Sequence, residues 1–313
     1  MGTRHLFTLF VLLVIGGLAA VDPRLTGQTV SPPLFDAFAY DTDGDGVVDE
    51  FDDHPSDGSR AFDTVEPTRG ERGRVAFEAD WPLRGDDDFN DAVFAYRFVK
   101  TASADGHWVE WEATIDVVAT GTTTPLGVAI SFPRLASVLG RATVSRDFCS
   151  AVPVEPEDGT RSVFVLTDNM LDTAGAFPGA GTEGESFVGE RFVLTVQFQR
   201  GIPIAKFDGA LDLFVFYTDE PSREIHRPGV EPTDFADLGL FGTFDDASDL
   251  RAGRTYLSDA GLPWAIELPH EWQHPKEGAD LAVAYPELVD WIESGGDVNR
   301  TWSRAPNVEE VRP

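Results

Sequence analysis

The sequence predicts an all-β fold, an antiparallel β-sandwich with a short C-terminal helix. Two patterns indicate the sandwich. Apolar and polar residues alternate along several segments, as they do in strands that bury one face, and Asp-Gly turn signals separate these segments. Helical periodicity is confined to the end of the chain. Many strands joined by turns are typical of a sandwich rather than of a sheet with crossover helices.

Each element is predicted from hydrophobic periodicity. The clearest strand is 109–117, where Val, Trp, Ala and Ile alternate with Glu, Thr and Asp. Two further segments alternate in the same way, 126–132 and 192–199. Two apolar runs are of the buried-strand type, 163–166 and 211–217, and Asp212 alone interrupts the second. A helix is predicted to begin at Pro286, to place Leu288 and Trp291 on one face, and to end near Gly295.

Composition limits the function more than the fold. The chain has 313 residues, 42% of them hydrophobic, which is enough for one large domain with appendages. It has 24 Lys and Arg against 54 Asp and Glu, a formal net charge of -30. Such a surface repels phosphate backbones and favours divalent cations, so no nucleic-acid partner is expected. Cys149 is the single cysteine and is interpreted as a small buried residue rather than a nucleophile.

The N-terminus has the features of an export signal. Residues 1–20 are predicted to be a signal peptide, because Arg4 precedes an apolar segment, 6–18, and small residues follow it. The alternative is an uncleaved membrane anchor, but the segment is short for a span of about 20 residues. No cysteine follows it for lipid attachment. Residues 21–40 are predicted to be a linker. We therefore expect an exported protein, periplasmic, surface-bound or extracellular, with no transmembrane domain in the mature chain.

Residues 41–52 have the spacing of a calcium-binding loop. Counting from Asp41, carboxylates fall at positions 1, 3, 5, 9 and 12, and Gly46 is at position 6, where an EF-hand loop turns sharply. A backbone carbonyl at position 7 completes such a site. The predicted calcium ligands are Asp41, Asp43, Asp45, Val47, Asp49 and Asp52. The alternative is a disordered acidic linker.

The loop departs from an EF-hand in two ways. Position 12 is the shorter Asp52 rather than Glu, and His54-Pro55 follow at once, so flanking helices are not expected. The acidic motif that begins at Asp41, when extended to Pro55, resembles a thrombospondin type-3 repeat. That resemblance implies that acids in residues 41–55 wrap Ca²⁺ without EF-hand helices. Residues 56–74 are then predicted to be a charged spacer.

A second acidic segment, 85–91, combines four carboxylates and an amide immediately before an apolar stretch. Four acids this close repel one another unless a cation lies among them, and Ca²⁺ takes oxygen ligands from carboxylates and amides. The predicted ligands are Asp86, Asp88, Asn90 and Asp91, with help from Glu78 or Asp80. The alternative is an acidic turn that leads into a strand.

Several unusual motifs occur together around and after this segment. They are Phe77-Glu78-x-x-Trp81-Pro82-x-x-Gly85-Asp86-x-Asp88-Phe89-Asn90-Asp91, Arg223-Glu224-Ile225-His226-x-Pro228-Gly229, Leu240-Phe241-Gly242-Thr243, Leu262-Pro263-Trp264-Ala265-Ile266 and Ala284-Tyr285-Pro286 with Trp291. In this order they resemble the LruC-domain family of bacterial exported proteins. The resemblance covers residues 75–302, implies one β-sandwich domain, and brings no established biochemical activity. The tail that follows, 303–313, is expected to be frayed.

One motif suggests catalysis. His270-Glu271-x-x-His274 matches the zinc-hydrolase pattern, which needs both histidines on one helical face. Pro269 and Pro275 flank it, so a helix is not expected and a chance match is preferred. With no catalytic residues assigned, we expect a non-enzymatic, calcium-binding structural or adhesive cell-envelope protein that contacts a cell-surface glycan or protein. The alternatives are a carbohydrate-binding module with structural calcium, using Trp81 and Trp108, and a zinc-dependent hydrolase.

Overall fold

The computed structural model describes residues 40–132, 141–144, 149–150, 161–173, 189–206, 211–227, 229–294 and 297–312. All of them belong to one compact unit, Tyr40–Pro313. The predicted signal peptide and residues 21–39 of the predicted linker lie outside the described residues, as do Gly295 and the side chain of Cys149. Among the described residues, no helix has the length and apolar character needed to cross a membrane.

The described residues contain twelve strands and two short α-helices. The strands are β1 (Phe62–Glu66), β2 (Gly73–Phe77), β3 (Ala92–Ala102), β4 (His107–Ala119), β5 (Leu126–Phe132), β6 (Arg141–Val144), β7 (Cys149–Ser150), β8 (Ser162–Thr167), β9 (Arg191–Pro203), β10 (Asp212–Tyr217), β11 (Glu224–Ile225) and β12 (Ala265–Pro269). The helices are α1 (Leu281–Ala284) and α2 (Glu287–Glu293). Every predicted strand is present, and α2 begins directly after Pro286 as predicted.

The strands form two antiparallel sheets. The large sheet has the order β12-β2-β3-β4-β9-β6-β7, with β1 also paired to β3, and the small sheet has the order β11-β10-β5-β8. Apolar side chains of both sheets, such as Phe94 and Trp111 from one and Ile130 and Val215 from the other, share one core. The rings of Trp111 and Phe132 stack across it at 5.7 Å. The predicted antiparallel β-sandwich is therefore confirmed.

Residues 270–312 form a third layer on part of the outer face of the large sheet. Apolar residues of the sheet and of this C-terminal layer make a second core, composed of Ala76, Phe89, Val93, Leu268, Trp272, Leu281, Ala284, Tyr285, Leu288, Trp302 and Val311. The predicted tail is part of the layer, because Lys276 N donates to Glu310 O at 2.8 Å and Arg312 N donates to His274 O at 2.8 Å. The expectation of a frayed end is wrong for residues 303–312.

The predicted spacer 56–74 also contains structure. Its residues Phe62–Glu66 form β1, which pairs with Phe98–Ala102 of β3. This strand lies at an edge of the sheet, where Phe62 is 41% exposed. Because little of the strand is buried, its sequence shows only a weak apolar alternation. The spacer is therefore an added edge strand that joins the acidic loop to the large sheet.

Candidate metal centres

The first acidic loop curls around its own side chains. Gly44 and Gly46 adopt left-handed backbone angles, with φ of 79° and 98°, which a side chain would disfavour. The Asp41 carboxylate accepts hydrogen bonds from Gly44 N at 2.8 Å and from Gly46 N at 3.1 Å. Asp45 accepts from Val47 N at 2.8 Å. These bonds direct the carboxylates toward the inside of the turn.

Several carboxylate oxygens in this loop remain unsatisfied. Asp41, Asp43 and Asp45 each offer an oxygen within 4.8 Å of the others. Asp43 Oδ2, Asp45 Oδ2 and Asp52 Oδ2 are buried and have no hydrogen-bond partner. Asp52 is only 8% exposed, and its other oxygen accepts from His54 N at 2.7 Å. Buried polar atoms without partners are costly, so this set fits a bound cation.

The charge of Asp52 also acts on this cluster. The pKa of the Asp43 carboxyl is raised above its usual value, first by loss of solvent and then by the negative charges of Asp45, Asp52 and Asp41. Asp49 has a different role, because its two oxygens accept from Thr42 N at 2.8 Å and Thr42 Oγ1 at 2.7 Å. The structure therefore brings together three of the five predicted aspartates, Asp41, Asp43 and Asp45, while Asp52 acts on Asp43 through its charge and Asp49 closes the loop.

The loop is attached firmly to the large sheet. Asp53 N donates to Ala61 O at 2.8 Å, just before β1. His54 Nε2 lies 2.8 Å from Asp63 Oδ1 within β1. A Cβ on Gly58 would stand 3.3 Å from Asp43 O, so the chain packs closely against the back of the loop. A cation in the loop would thus act on a segment that is already part of the fold.

The second acidic cluster is more deeply buried than the first. Glu78, Asp86 and Asp88 offer oxygens within 4.8 Å of one another, and Glu78 and Asp88 are only 3% and 1% exposed. Asp88 accepts from Asn90 Nδ2 at 2.6 Å and from Gly278 N, in the C-terminal layer, at 2.8 Å. Among the described residues, no Lys or Arg forms an ion pair with these three acids. When ionised, the cluster would therefore carry negative charge that no ion pair within the described chain balances.

Burial changes the acidity of this cluster. It raises the pKa of Glu78 to about 10, with further contributions from the charge of Asp91 and that of Asp88. Burial also raises the pKa of Asp88 to about 7 and that of Asp91 to about 6. Without a cation, the cluster retains protons near neutral pH. A divalent cation among the oxygens would favour the ionised forms and replace those protons.

The structure separates the predicted ligands of this second site into two groups. Asp86 and Asp88 are brought together, and Asn90 Oδ1 is buried next to them without a hydrogen-bond partner. Asp91 instead accepts from Ala79 N at 2.7 Å and interacts with the Glu78 carboxyl. Glu78, predicted only as a helper, is at the centre of the cluster. Its place in the same motif as Asp86 and Asp88 was the signal for this role.

Comparison with known families identifies the larger part of the domain. A model described as Domain of unknown function (DUF4842) matches residues 106–302. The chain belongs to the DUF4842 family. Both acidic clusters draw their carboxylates from residues that precede the matched DUF4842 region, although Gly278 within it contacts Asp88. The resemblances to the LruC-domain family and to thrombospondin type-3 repeats remain predictions.

One solved structure supports the architecture. The fold is similar to the crystal structure of a "Putative lipoprotein from Bacteroides ovatus", with a TM-score of 0.61 and 18% sequence identity. The similarity covers 80% of this chain and 76% of that chain. At this identity the likeness shows the fold alone. A comparison with curated proteins finds no match.

The zinc-hydrolase motif lies in the DUF4842 region without the geometry that zinc chemistry needs. His270 and Glu271 form a turn after β12, and no helix begins before α1 in this part of the described chain. The pKa of His274 is lowered to about 4 by burial and by the positive charges of Arg74 and Arg312. Within the described residues, the groups arranged closely enough to hold a metal are the two acidic clusters.

The DUF4842 region also contains a buried ionic network that the sequence did not reveal. His226 is fully buried, with Nδ1 2.5 Å from Asp212 Oδ2 and Nε2 2.9 Å from Glu224 Oε2. Burial would lower the pKa of His226, but the two carboxylates raise it to about 8. Arg227 Nε donates to Asp212 Oδ1 at 3.2 Å. This network supplies its own positive charges and needs no added cation.

Proposed function

We propose that the protein binds Ca²⁺ at the first acidic loop and at the second acidic cluster, and that it is an exported, non-enzymatic structural or adhesive component of the cell envelope. The observation that carries the proposal is the set of three buried carboxylate oxygens without hydrogen-bond partners, on Asp43, Asp45 and Asp52. A cation that contacts all three would remove the cost of leaving them unsatisfied.

The donor set supports calcium over other metals. All the converging atoms are carboxylate oxygens, which hard cations prefer, and Ca²⁺ accepts about six to eight such ligands in flexible geometry. Zinc would favour nitrogen or sulfur ligands, which both clusters lack. Asp41, Asp43, Asp45 and Asp52 would hold the ion in the loop, with water completing the shell. We expect affinity on the order of 10⁻⁴–10⁻³ M, as in extracellular modules.

The second acidic cluster is proposed as a weaker site. Glu78, Asp86 and Asp88 would hold the ion, and the buried Asn90 Oδ1 lies beside them. Binding requires the loss of protons from groups whose pKa values burial has raised, and this cost lowers the apparent affinity. Because Gly278 N donates to Asp88, an ion here would also stabilise the contact between the sheet and the C-terminal layer.

The export part of the proposal rests on independent support. The predicted signal peptide directs the chain out of the cytoplasm, and the structural relative from Bacteroides ovatus is described as a lipoprotein, a class of cell-envelope protein. A structural or adhesive role fits a sandwich whose acidic clusters would bind calcium rather than a substrate.

The test is a calorimetric titration of chelator-treated protein with Ca²⁺, paired with unfolding measurements. We expect saturation to stabilise the fold by about 2–3 kcal/mol at calcium concentrations roughly 100-fold above Kd. Asp43→Asn should remove binding at the loop, because it replaces an unsatisfied carboxylate with a neutral amide of equal size. The matched control is Asp57→Asn, since Asp57 lies nearby but accepts from Ser59 N and Oγ. No binding at millimolar calcium would refute the proposal.

A second candidate function is carbohydrate binding. Trp81 and Trp108 do not support it, because they are 1% and 7% exposed and belong to the core. Tyr40 and Phe51, which flank the first acidic loop, are 73% and 68% exposed and offer ring faces on which sugars can stack. A glycan array, run with and without calcium, separates this candidate from a purely structural role. If metal analysis found zinc in the purified protein, the result would instead support the zinc-dependent hydrolase alternative.

A further inference from the structure

One short motif in the C-terminal layer plays no part in the proposed calcium sites. The chain contains four asparagines, and only Asn299 is followed two positions later by a hydroxyl residue, in the sequence Asn299-Arg300-Thr301. An Asn-x-Thr pattern with a residue other than proline in the middle is the acceptor motif for N-linked glycans in secreted proteins. The motif is short, so its place in the fold decides whether a glycosyl-transferring enzyme can reach it.

The motif lies in a surface turn between α2 and the short 3₁₀ turn Trp302–Arg304. Arg300 and Thr301 are exposed, and Asn299 is partly exposed. Asn299 has a left-handed backbone, with φ of 48°, a conformation that asparagine tolerates better than most residues. Trp302 holds the turn in place, because its ring is buried in the second core and its N donates to Asn299 O at 2.9 Å. The fold therefore fixes the backbone of the turn and leaves the motif at the surface.

The two side chains that an enzyme must contact are only lightly held by the fold. Asn299 Nδ2 donates to Asp290 Oδ2 at 3.2 Å, in a hydrogen bond exposed to solvent. Among the described residues, Thr301 makes no side-chain capping bond to the turn that follows it. A surface hydrogen bond contributes little to stability, because water competes for both of its partners. The acceptor amide and the hydroxyl can therefore bind another molecule without disturbing the core.

An acidic residue stands two positions before the acceptor asparagine. The Asp297 side chain is 83% exposed, and its Oδ1 lies 3.1 Å from Arg300 Nη2. The Arg300 side chain is itself 72% exposed, so water screens this ion pair and it contributes little to stability. The Asp297 carboxylate therefore offers an enzyme a charged group to bind beside the acceptor amide, and a charge-assisted hydrogen bond there would strengthen recognition of the turn.

We propose that Asn299 is an N-glycosylation site, modified by transfer of an oligosaccharide from a lipid diphosphate donor. In this reaction Asn299 Nδ2 forms a bond to the anomeric carbon of the first sugar, the bond from that carbon to the diphosphate oxygen breaks, and the lipid diphosphate leaves. The amide loses one proton to a base of the transferase, and nothing is oxidised or reduced. The inference rests on the export part of the proposed function, since the transfer takes place outside the cytoplasm.

The test is expression of the full chain in a bacterial host that carries an oligosaccharyltransferase and its lipid-linked oligosaccharide, followed by mass spectrometry of peptides from the periplasmic protein. The peptide that contains Asn299 should gain the mass of the oligosaccharide, and the peptide that contains Asn307 should gain nothing. Thr301→Ser should retain the modification because it keeps the hydroxyl, whereas Thr301→Val, which has the same shape without the hydroxyl, should lose it. Asp297→Asn should slow the modification by roughly tenfold, the effect of losing a charge-assisted hydrogen bond.

A second version of the chain separates this inference from the proposed export. It carries the leader of a host periplasmic protein in place of residues 1–20 and is otherwise identical. If the native chain stays in the cytoplasm, the export part of the proposed function fails, and the version with the host leader still tests Asn299. The glycosylation site is refuted if the periplasmic protein remains unmodified at Asn299 while a control acceptor protein is modified in the same cells. Modification of Thr301→Val to the wild-type extent would also refute it.

Discussion

Asp212 and Glu224 are buried as deeply as Glu78 and Asp88, with between 1% and 3% exposed, but the two pairs have opposite surroundings. Asp212 and Glu224 lie on either side of the His226 ring. Burial alone would raise the pKa of Asp212, yet His226 and Arg227 lower it below its usual value. Glu78 and Asp88 have no ion-pair partner among the described residues, and their pKa values rise to about 10 and about 7.

The difference shows what each region requires from outside the chain. A buried carboxylate is tolerated when a positive group and hydrogen bonds replace its lost hydration. The His226 network meets this condition internally, with Thr233 N and Oγ1 also donating to Glu224 at 3.0 and 2.5 Å. The Glu78 cluster meets it only by holding protons or by binding a cation. Replacing residues of the His226 network should therefore lower the stability of the fold. The Glu78 cluster should instead respond to the addition and removal of calcium.

The largest expected effect on stability comes from replacing His226, the protonated side chain between the two buried carboxylates. His226→Ala should lower the free energy of unfolding by about 3–5 kcal/mol, because it leaves Asp212 and Glu224 as buried charges without their shared partner. Urea unfolding measures the change. His270→Ala is the matched control, since His270 is exposed in a turn and should change stability by less than about 0.5 kcal/mol. Equal effects of the two substitutions would contradict the distinction between the regions.

The pH dependence of stability should report on the same network. The folded pKa of His226 is about 8, above its ordinary value of 6.5, so protonation favours the folded state. This contribution is fully present below about pH 6.5 and is lost as the pH rises through about 8, for a total of about 2 kcal/mol. The titratable groups that face the His226 ring are Asp212, Glu224 and Tyr256, and Arg227 in turn donates a hydrogen bond to Asp212.

Unfolding should be measured near pH 6 and near pH 9 with saturating calcium, which keeps the second acidic cluster ionised at both values if the proposed site exists. A titration of the His226 ring by NMR should give a midpoint well above that of a solvent-exposed histidine. A midpoint at or below 6.5, the ordinary value, would show that the imidazole is neutral between its two carboxylates and would remove the basis of the comparison.

The sequence predicted those parts of the molecule that depend on neighbouring residues. Segment 109–117 alternates because one face of β4 is buried and the other is not, and 211–217 is apolar apart from Asp212 because β10 is buried on both faces. The first acidic loop was predictable for the same reason, because all its carboxylates come from one short segment. The exception is Asp49, which accepts two hydrogen bonds from Thr42 that spacing does not reveal.

The remaining features depend on contacts between distant parts of the chain. Gly278 reaches Asp88 only because the C-terminal layer folds onto the large sheet, and the carboxylates around His226 come from two different strands. Hydrophobic periodicity identifies strands and their buried faces, but it does not determine which strands are neighbours. These sites therefore became visible only in the structure.

The smallest effect on stability, and the sharpest test of the comparison, is expected for Glu78→Gln. Without calcium the Glu78 carboxyl holds its proton at neutral pH, because its pKa is about 10, so a neutral amide of the same size should change stability by less than about 0.5 kcal/mol. With calcium, the variant should lose binding at the second acidic cluster while the first loop still binds, as calorimetry can show. Strong destabilisation without calcium would mean that Glu78 is ionised and balanced within the fold. The Glu78 cluster would then resemble the His226 network rather than a site that needs an added cation.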